Sequence, residues 1–289
     1  MRVSLSTVCA TLSLCLFVVT AGCSRKDENR TSNTQSIHEA ARNGDLKTIK
    51  RLLAERPALV SECDEQGNSP LMWASEKGQK DAAKILILLG ADVNQQNSEG
   101  YTALYSAIAA EKSELVEFLL SKSARVDVKC AADVTPLMFG AQTGNTTILK
   151  LLLSKGAQID ATDGSLGHTA LIFAAEAGRT DAVRLLVSKG ANVNATDASG
   201  FTPLLSATKG GYTDAVAILL DHGAKMDAAD VGGFTALHLA AINGRIGVVK
   251  LLVSRGANVN ARDEQGRTPE QVAKDEGFRE VADYLHAHR

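Results

Sequence analysis

The sequence repeats itself every 33 residues or so, and a unit that short limits what the chain can fold into. Seven segments align on a Thr-Pro-Leu pattern, starting at Ser69, Thr102, Thr135, Thr169, Thr202, Thr235 and Thr268, at spacings of 33, 33, 34, 33, 33 and 33 residues. A weaker eighth copy starting at Gln35 precedes them by 34. One such unit cannot bury its own apolar faces, so the copies must stack and share a core. Two unrelated domains, the ordinary expectation for 289 residues, give way to one array over residues 35–289.

Each recurring position has a mechanical reason. The Ser or Thr hydroxyl can cap a helix start, and Pro at the next position suits the first helical turn. Five positions on, every copy has a small residue (Ala40, Ala74, Ala107, Gly140, Ala174, Ala207, Ala240, Ala273), which lets neighbouring helices approach. Nine positions on, Gly44, Gly78, Gly144, Gly178, Gly211, Gly244 and Gly277 end that helix. A second apolar helix follows, carrying Leu52, Leu86, Leu119, Leu152, Leu186, Leu219, Leu252 and Leu285. The third repeat departs from the pattern with Glu111 and Ser123 where glycine is usual, which predicts a weak stretch around 102–134. At the ends, Lys47, Lys50 and Arg51 in the first copy and Glu270-Gln271 in the last predict polar caps.

The segments Thr-Ala-Leu-His-Leu-Ala-Ala at 235–241 and Gly-Ala-Asn-Val-Asn at 190–194 and 256–260 resemble ankyrin repeats. The resemblance implies an all-α solenoid of about eight helix-turn-helix repeats with β-hairpin fingers and a concave groove. It implies that His38 and His238 hydrogen-bond backbone between repeats. It also implies a protein or peptide partner, held at the finger tips and on the inner face of each first helix. The tip residue before each Thr is expected to be exposed, which selects Tyr101, Val134, His168, Phe201, Phe234 and Arg267 as partner-binding residues, with Asn68 at the same register. The alternative is that the aromatics among them brace adjacent fingers. Glu76, Lys77, Gln142, Glu176 and Lys209 are expected to form a mixed-charge rim on the inner face. Trp73, Phe139 and Phe173 are read as core.

Residues 1–22 read as an address rather than fold. Arg2 precedes an apolar run from Val8 to Val19, too short to span a bilayer and matched to a secretory signal. Thr20-Ala21-Gly22-Cys23-Ser24 resembles the lipobox of bacterial lipoproteins, which implies acylation at Cys23 and, through Ser24, a place on the outer membrane facing the periplasm. The alternative is an uncleaved apolar anchor. Residues 23–34 are polar and read as a tether.

A formal charge of −2 gives no basic face for nucleic acid. The chain has no Gly-x-Ser-x-Gly elbow, phosphate-binding Gly-Lys loop or His-Glu-x-x-His pair. No catalytic residue, metal or cofactor is therefore expected. Cys63 and Cys130 lie two repeats apart, too far for a disulfide. The reading is a non-catalytic, lipid-anchored interaction scaffold. An accessory protein that protects or assembles a periplasmic enzyme is the first alternative, and a ligand-binding receptor or hidden hydrolase the second. Partner identity and oligomeric state are left open.

Overall fold

The computed structural model describes residues 35–289, so the expected signal segment, the tether and Cys23 lie outside the described residues. Within them are sixteen α-helices in eight consecutive pairs, giving an all-α repeat solenoid. The chain divides into two compact units, one ending at Arg125 and one running from Val126 to Arg289. In the first unit the pairs are α1 (Ile37–Asn43) with α2 (Leu46–Glu55), α3 (Pro70–Lys77) with α4 (Lys80–Leu88), and α5 (Ala103–Ala109) with α6 (Ser113–Ser121). In the second they are α7 (Pro136–Thr143) with α8 (Thr146–Ser154), α9 (Ala170–Glu176) with α10 (Thr180–Ser188), and α11 (Pro203–Gly210) with α12 (Thr213–Asp221). The last two pairs are α13 (Ala236–Ile242) with α14 (Ile246–Ser254) and α15 (Pro269–Asp275) with α16 (Arg279–Ala287).

The helix starts follow the expected chemistry. The hydroxyls of Ser69, Thr135, Thr169, Thr202 and Thr268 accept the backbone N–H three residues on, at 3.2–3.4 Å. Pro70, Pro136, Pro203 and Pro269 each stand at the first helical position, where a missing N–H breaks no bond. In the first copy the cap is Ser36 rather than Gln35, one residue later than the alignment places it. Within each unit, first helix packs on first helix, and Ala74, Ala107, Ala174, Ala207, Ala240 and Ala273 lie fully buried in those contacts. The second-helix leucines close the core from the other side: seven of the eight are fully buried and Leu52 is nearly so. Truncating a leucine in such a site costs about 2–5 kcal/mol.

The fingers are not β-hairpins. Among the described residues there is no strand, and a single bridge, Ala229–Thr235, is all that stands for one. All the turns but the one at Cys130 are closed by an Asp or Asn side chain instead. Asp197 Oδ1 accepts the N–H groups of Ser199 (2.8 Å) and Phe201 (2.7 Å), and Asp64, Asn97, Asp230 and Asp263 repeat the arrangement. Four pairs of neighbouring fingers are linked by one backbone bond, such as Val231 N–H to Ser199 O at 3.0 Å.

The last repeat is capped differently from expectation. Gln271 does cap, accepting the Thr268 N–H at 2.8 Å. Glu270 is buried, at the position where the other Thr-led repeats have leucine. It is neutralised by Lys274, by His286 Nδ1 at 3.2 Å and by Arg289 at 2.8 Å, and the Lys274 ammonium leads in holding its carboxyl below the usual range.

Glu111 (φ 54°), Ser123 (φ 65°) and Asp133 (φ 57°) are the non-glycine residues with positive φ among the described residues, and all fall in or beside the third repeat. Cys130, buried, occupies the place where other fingers have the capping Asp or Asn. The expected weak stretch therefore has a third strained position and an uncapped turn. An L-residue in the left-handed region costs about 1 kcal/mol. Glu111→Gly and Ser123→Gly are each expected to raise stability by about 0.5–1 kcal/mol, read as a higher urea midpoint at unchanged slope. Unchanged or lower midpoints would show that these backbones carry no strain.

Candidate binding surfaces of the fingers and inner helices

The tip register is much less exposed than the sequence suggests. Tyr101, Val134 and His168 are buried, while Phe201, Phe234 and Arg267 are half-buried. The reason is that each tip precedes the first turn of a helix, and that turn offers it a partner. The Tyr101 ring meets Tyr105 edge-on at 5.3 Å, His168 meets Phe173 at 5.4 Å, and Phe234 meets His238 at 5.9 Å. Lys209 Nζ lies over Phe201 at 5.5 Å, and the Arg267 guanidinium covers Phe234 from the next finger at 5.7 Å. Edge-to-face pairs and cation–π contacts each add roughly 0.5–1.5 kcal/mol beyond burial, so the rings are better placed inside than in water. Of the three aromatics only Phe234 meets the next finger, through Arg267; Tyr101 and Phe201 pack on their own repeat's helix, and accessible surface remains at Phe201, Phe234 and Arg267.

His168 has a further role that spacing alone did not indicate. Its Nε2 lies 3.1 Å from Asp197 Oδ2 on the next finger, and its Nδ1 lies 3.5 Å from Asp163 Oδ2 on its own. Both carboxylates also hold their turns: Asp163 Oδ1 accepts the His168 N–H at 2.8 Å. Burial opposes a charge on the ring, but the contacts with Asp163 and then Asp197 overcome it and raise the His168 pKa to about 9. Burial likewise pushes the Asp163 carboxyl up, and His168 pulls it below the usual range. The imidazolium is thus an ionic rivet between two fingers. The signal was present as an Asp five residues before His168 and four before Phe201, but only the fold brings them together.

His238 does the opposite. It is fully buried, its Nε2 donates to Arg267 O at 3.0 Å, and its Nδ1 lies 2.9 Å from the Thr235 hydroxyl. Burial lowers its pKa, which suits a neutral ring with one donor and one acceptor. His38 makes the equivalent bond to Glu62 O at 2.9 Å, so both histidines link repeats as the family resemblance implied. Phe139 and Phe173 are core, whereas Trp73 is half-buried, its Nε1 donating to Asp64 at 2.8 Å and Arg42 lying over its ring.

At the register expected for the inner face, Gln142, Glu176 and Lys209 of the second unit stand in consecutive repeats and are exposed or half-exposed. In the first unit Glu76 and Lys77 stand at the end of α3, paired at 2.7 Å. Among the described residues no group of three or more His, Cys, Asp or Glu could hold a metal ion. Cys63 and Cys130 are free thiols.

The sign of the pH dependence follows from His168. Its folded pKa lies above the ordinary value near 6.5, so its contribution is complete below that pH and is lost as pH rises through about 9. His168→Gln removes the ion pairs. The stability difference between wild type and this variant is expected to be greatest near pH 6, on the order of 2 kcal/mol, and to shrink by pH 10. Urea unfolding at both pH values measures it; a difference independent of pH would show that the ring is not charged in the folded state.

The same repeats are found in proteins of known family. A family model described as ankyrin repeats in three copies matches residues 8–97, 87–163 and 137–230, and the single ankyrin-repeat model matches 232–264. Among curated proteins the chain is similar to the serine/threonine-protein kinase VIK of Arabidopsis thaliana, 37% identical over 97 residues, which is 34% of this chain and 22% of that protein. It is similar to the probable E3 ubiquitin-protein ligase XBOS33 of Oryza sativa subsp. japonica, 40% identical over 100 residues, 34% of this chain and 18% of the other. It also resembles human inversin, 33% identical over 94 residues, 32% of this chain and 9% of the other. The chain spans less than a quarter of the length of each of these relatives. With family models matching well over half of its residues, and paired helices present in every repeat among the described residues, the chain belongs to the ankyrin-repeat family.

Proposed function

We propose that this chain is a lipid-anchored scaffold that faces the periplasm and captures a protein or peptide partner on its fingers and inner helices. The observation that carries the reading is a register of the second unit where Gln142, Glu176 and Lys209 reach the surface in three consecutive repeats, with Lys209 over the part-exposed Phe201 ring. Such mixed charge with an aromatic ring suits a polypeptide better than a polyanion. Bracing of the tips contributes to affinity, because side chains already held in place lose little entropy on binding. Attachment rests on the motif Thr20 to Ser24, with Cys23 as the acylated residue.

Two experiments test the two halves of this reading. The immobilised protein, incubated with solubilised envelope extract, is expected to retain one or two proteins. Phe201→Ala, Phe234→Ala and Arg267→Glu together should remove them with a modest change in Tm. Tyr101 is left in place because its ring is buried and its removal would unfold the site. Retention unaltered by the triple substitution refutes the finger surface. Separately, Cys23→Ser is expected to move the protein from the membrane to the soluble fraction; a variant that stays with membranes refutes lipid anchoring.

A further inference from the structure

A second register lies at the other end of each helix pair, where the first helix turns into the second. In the second unit it carries Arg179, Tyr212, Arg245 and Phe278, one per repeat and all exposed, the two rings by 37% and 38%. Each packs against the glycine that ends the preceding repeat's first helix: Arg179 on Gly144, Tyr212 on Gly178, Arg245 on Gly211 and Phe278 on Gly244. A Cβ on any of these glycines would collide with the side chain above it. Tyr212 also rests on Gly210. The two arginines are pinned through Nε, which donates to Gln142 O at 2.9 Å and to Lys209 O at 3.3 Å. That leaves the outer nitrogens of each guanidinium, and neither makes an ion pair among the described residues.

Within this row Arg245 stands apart. The helices that follow Tyr212 and Phe278 carry Asp214 and Glu280 in their first turns, and Glu280 lies 3.9 Å from Lys250. The first turn of α14, which follows Arg245, has Ile246 and Gly247 and no acid. A cation and the positive end of a nine-residue helix therefore meet between two exposed rings. Stacked helices stand about 8–10 Å apart. One turn of a polyproline-II segment takes three residues and advances about 9 Å, which puts every third side chain on the same face at the spacing of the repeats.

We propose that Tyr212, Arg245 and Phe278 form a second binding edge for an extended, polyproline-II-like segment with a carboxylate flanked three residues away on each side by an apolar residue. The carboxylate pairs with the guanidinium of Arg245, and the apolar residues lie on the rings of Tyr212 and Phe278. Aromatic and arginine side chains held in fixed positions are the types that dominate binding energy at interfaces. The edge is separate from the finger surface and depends on neither the finger reading nor the lipid anchor.

The test is selection of a fully randomised displayed heptapeptide library on the full chain. Asp or Glu at the fourth position, with apolar residues at the first and seventh, is expected to be enriched about tenfold over an unselected pool. Arg245→Glu should change the central preference to Lys or Arg, whereas Arg245→Lys should keep it acidic. Tyr212→Ser with Phe278→Ser should abolish the apolar preference, and the finger triple variant should leave the pattern intact. Variants are compared at matched folding by circular dichroism. A pattern indifferent to Arg245→Glu, or no positional enrichment on the wild-type chain, overturns the proposal.

Discussion

The contact on which the fold depends is the close approach of one repeat's helices to the next. A pair of helices seven to ten residues long has too little apolar surface to stand alone. Buried alanines bring the first helices together, and the second-helix leucines fill the space behind them. The glycines ending the first helices serve the same contact. Gly178 and Gly244 have φ of 65° and 64°, which any glycine-ended helix would show, but they also carry the Tyr212 and Phe278 rings of the following repeat where a methyl group would stand. One residue type meets two demands, a left-handed backbone and an absent side chain.

That double demand explains what could be read from the sequence. Helix starts at Ser and Thr, helix ends at glycine and the buried leucine of each second helix depend on local chemistry repeated along the chain, and they were legible apart from the first start, which falls one residue later at Ser36. So was the strain at Glu111 and Ser123, because a missing glycine in a regular series is visible. The finger at 129–134 also lacks its usual glycine, and Asp133 stands in that place with positive φ. The single bridge at Ala229–Thr235 in place of hairpins was not legible.

The exposure of the finger tips could not be read in the same way. Whether Tyr101 or His168 faces water depends on what the first turn of the following helix presents, and on charges 29 residues away such as Asp197. Pattern reading places a residue on an element but does not count its neighbours. Glu270 shows the same limit. As a polar residue near the end of the array it reads as solvated, yet the fold encloses it and surrounds it with Lys274, His286 and Arg289. A carboxylate in a leucine's place is tolerated because every charge it brings is met at contact distance.

Exposure carries information only against that background. Aromatics at the finger register meet neighbouring rings and cations, and only Phe201 and Phe234 keep part of their surface in water. Tyr212 and Phe278 also touch the fold, through glycine, yet remain 37% and 38% exposed. A ring seated on backbone has its position defined while part of its surface stays in water, which suits a binding surface better than a core. Arg245, pinned by Nε with its outer nitrogens unpaired, has the same character. The finger aromatics turn most of their surface to their own helices, whereas Tyr212 and Phe278 remain more than a third exposed.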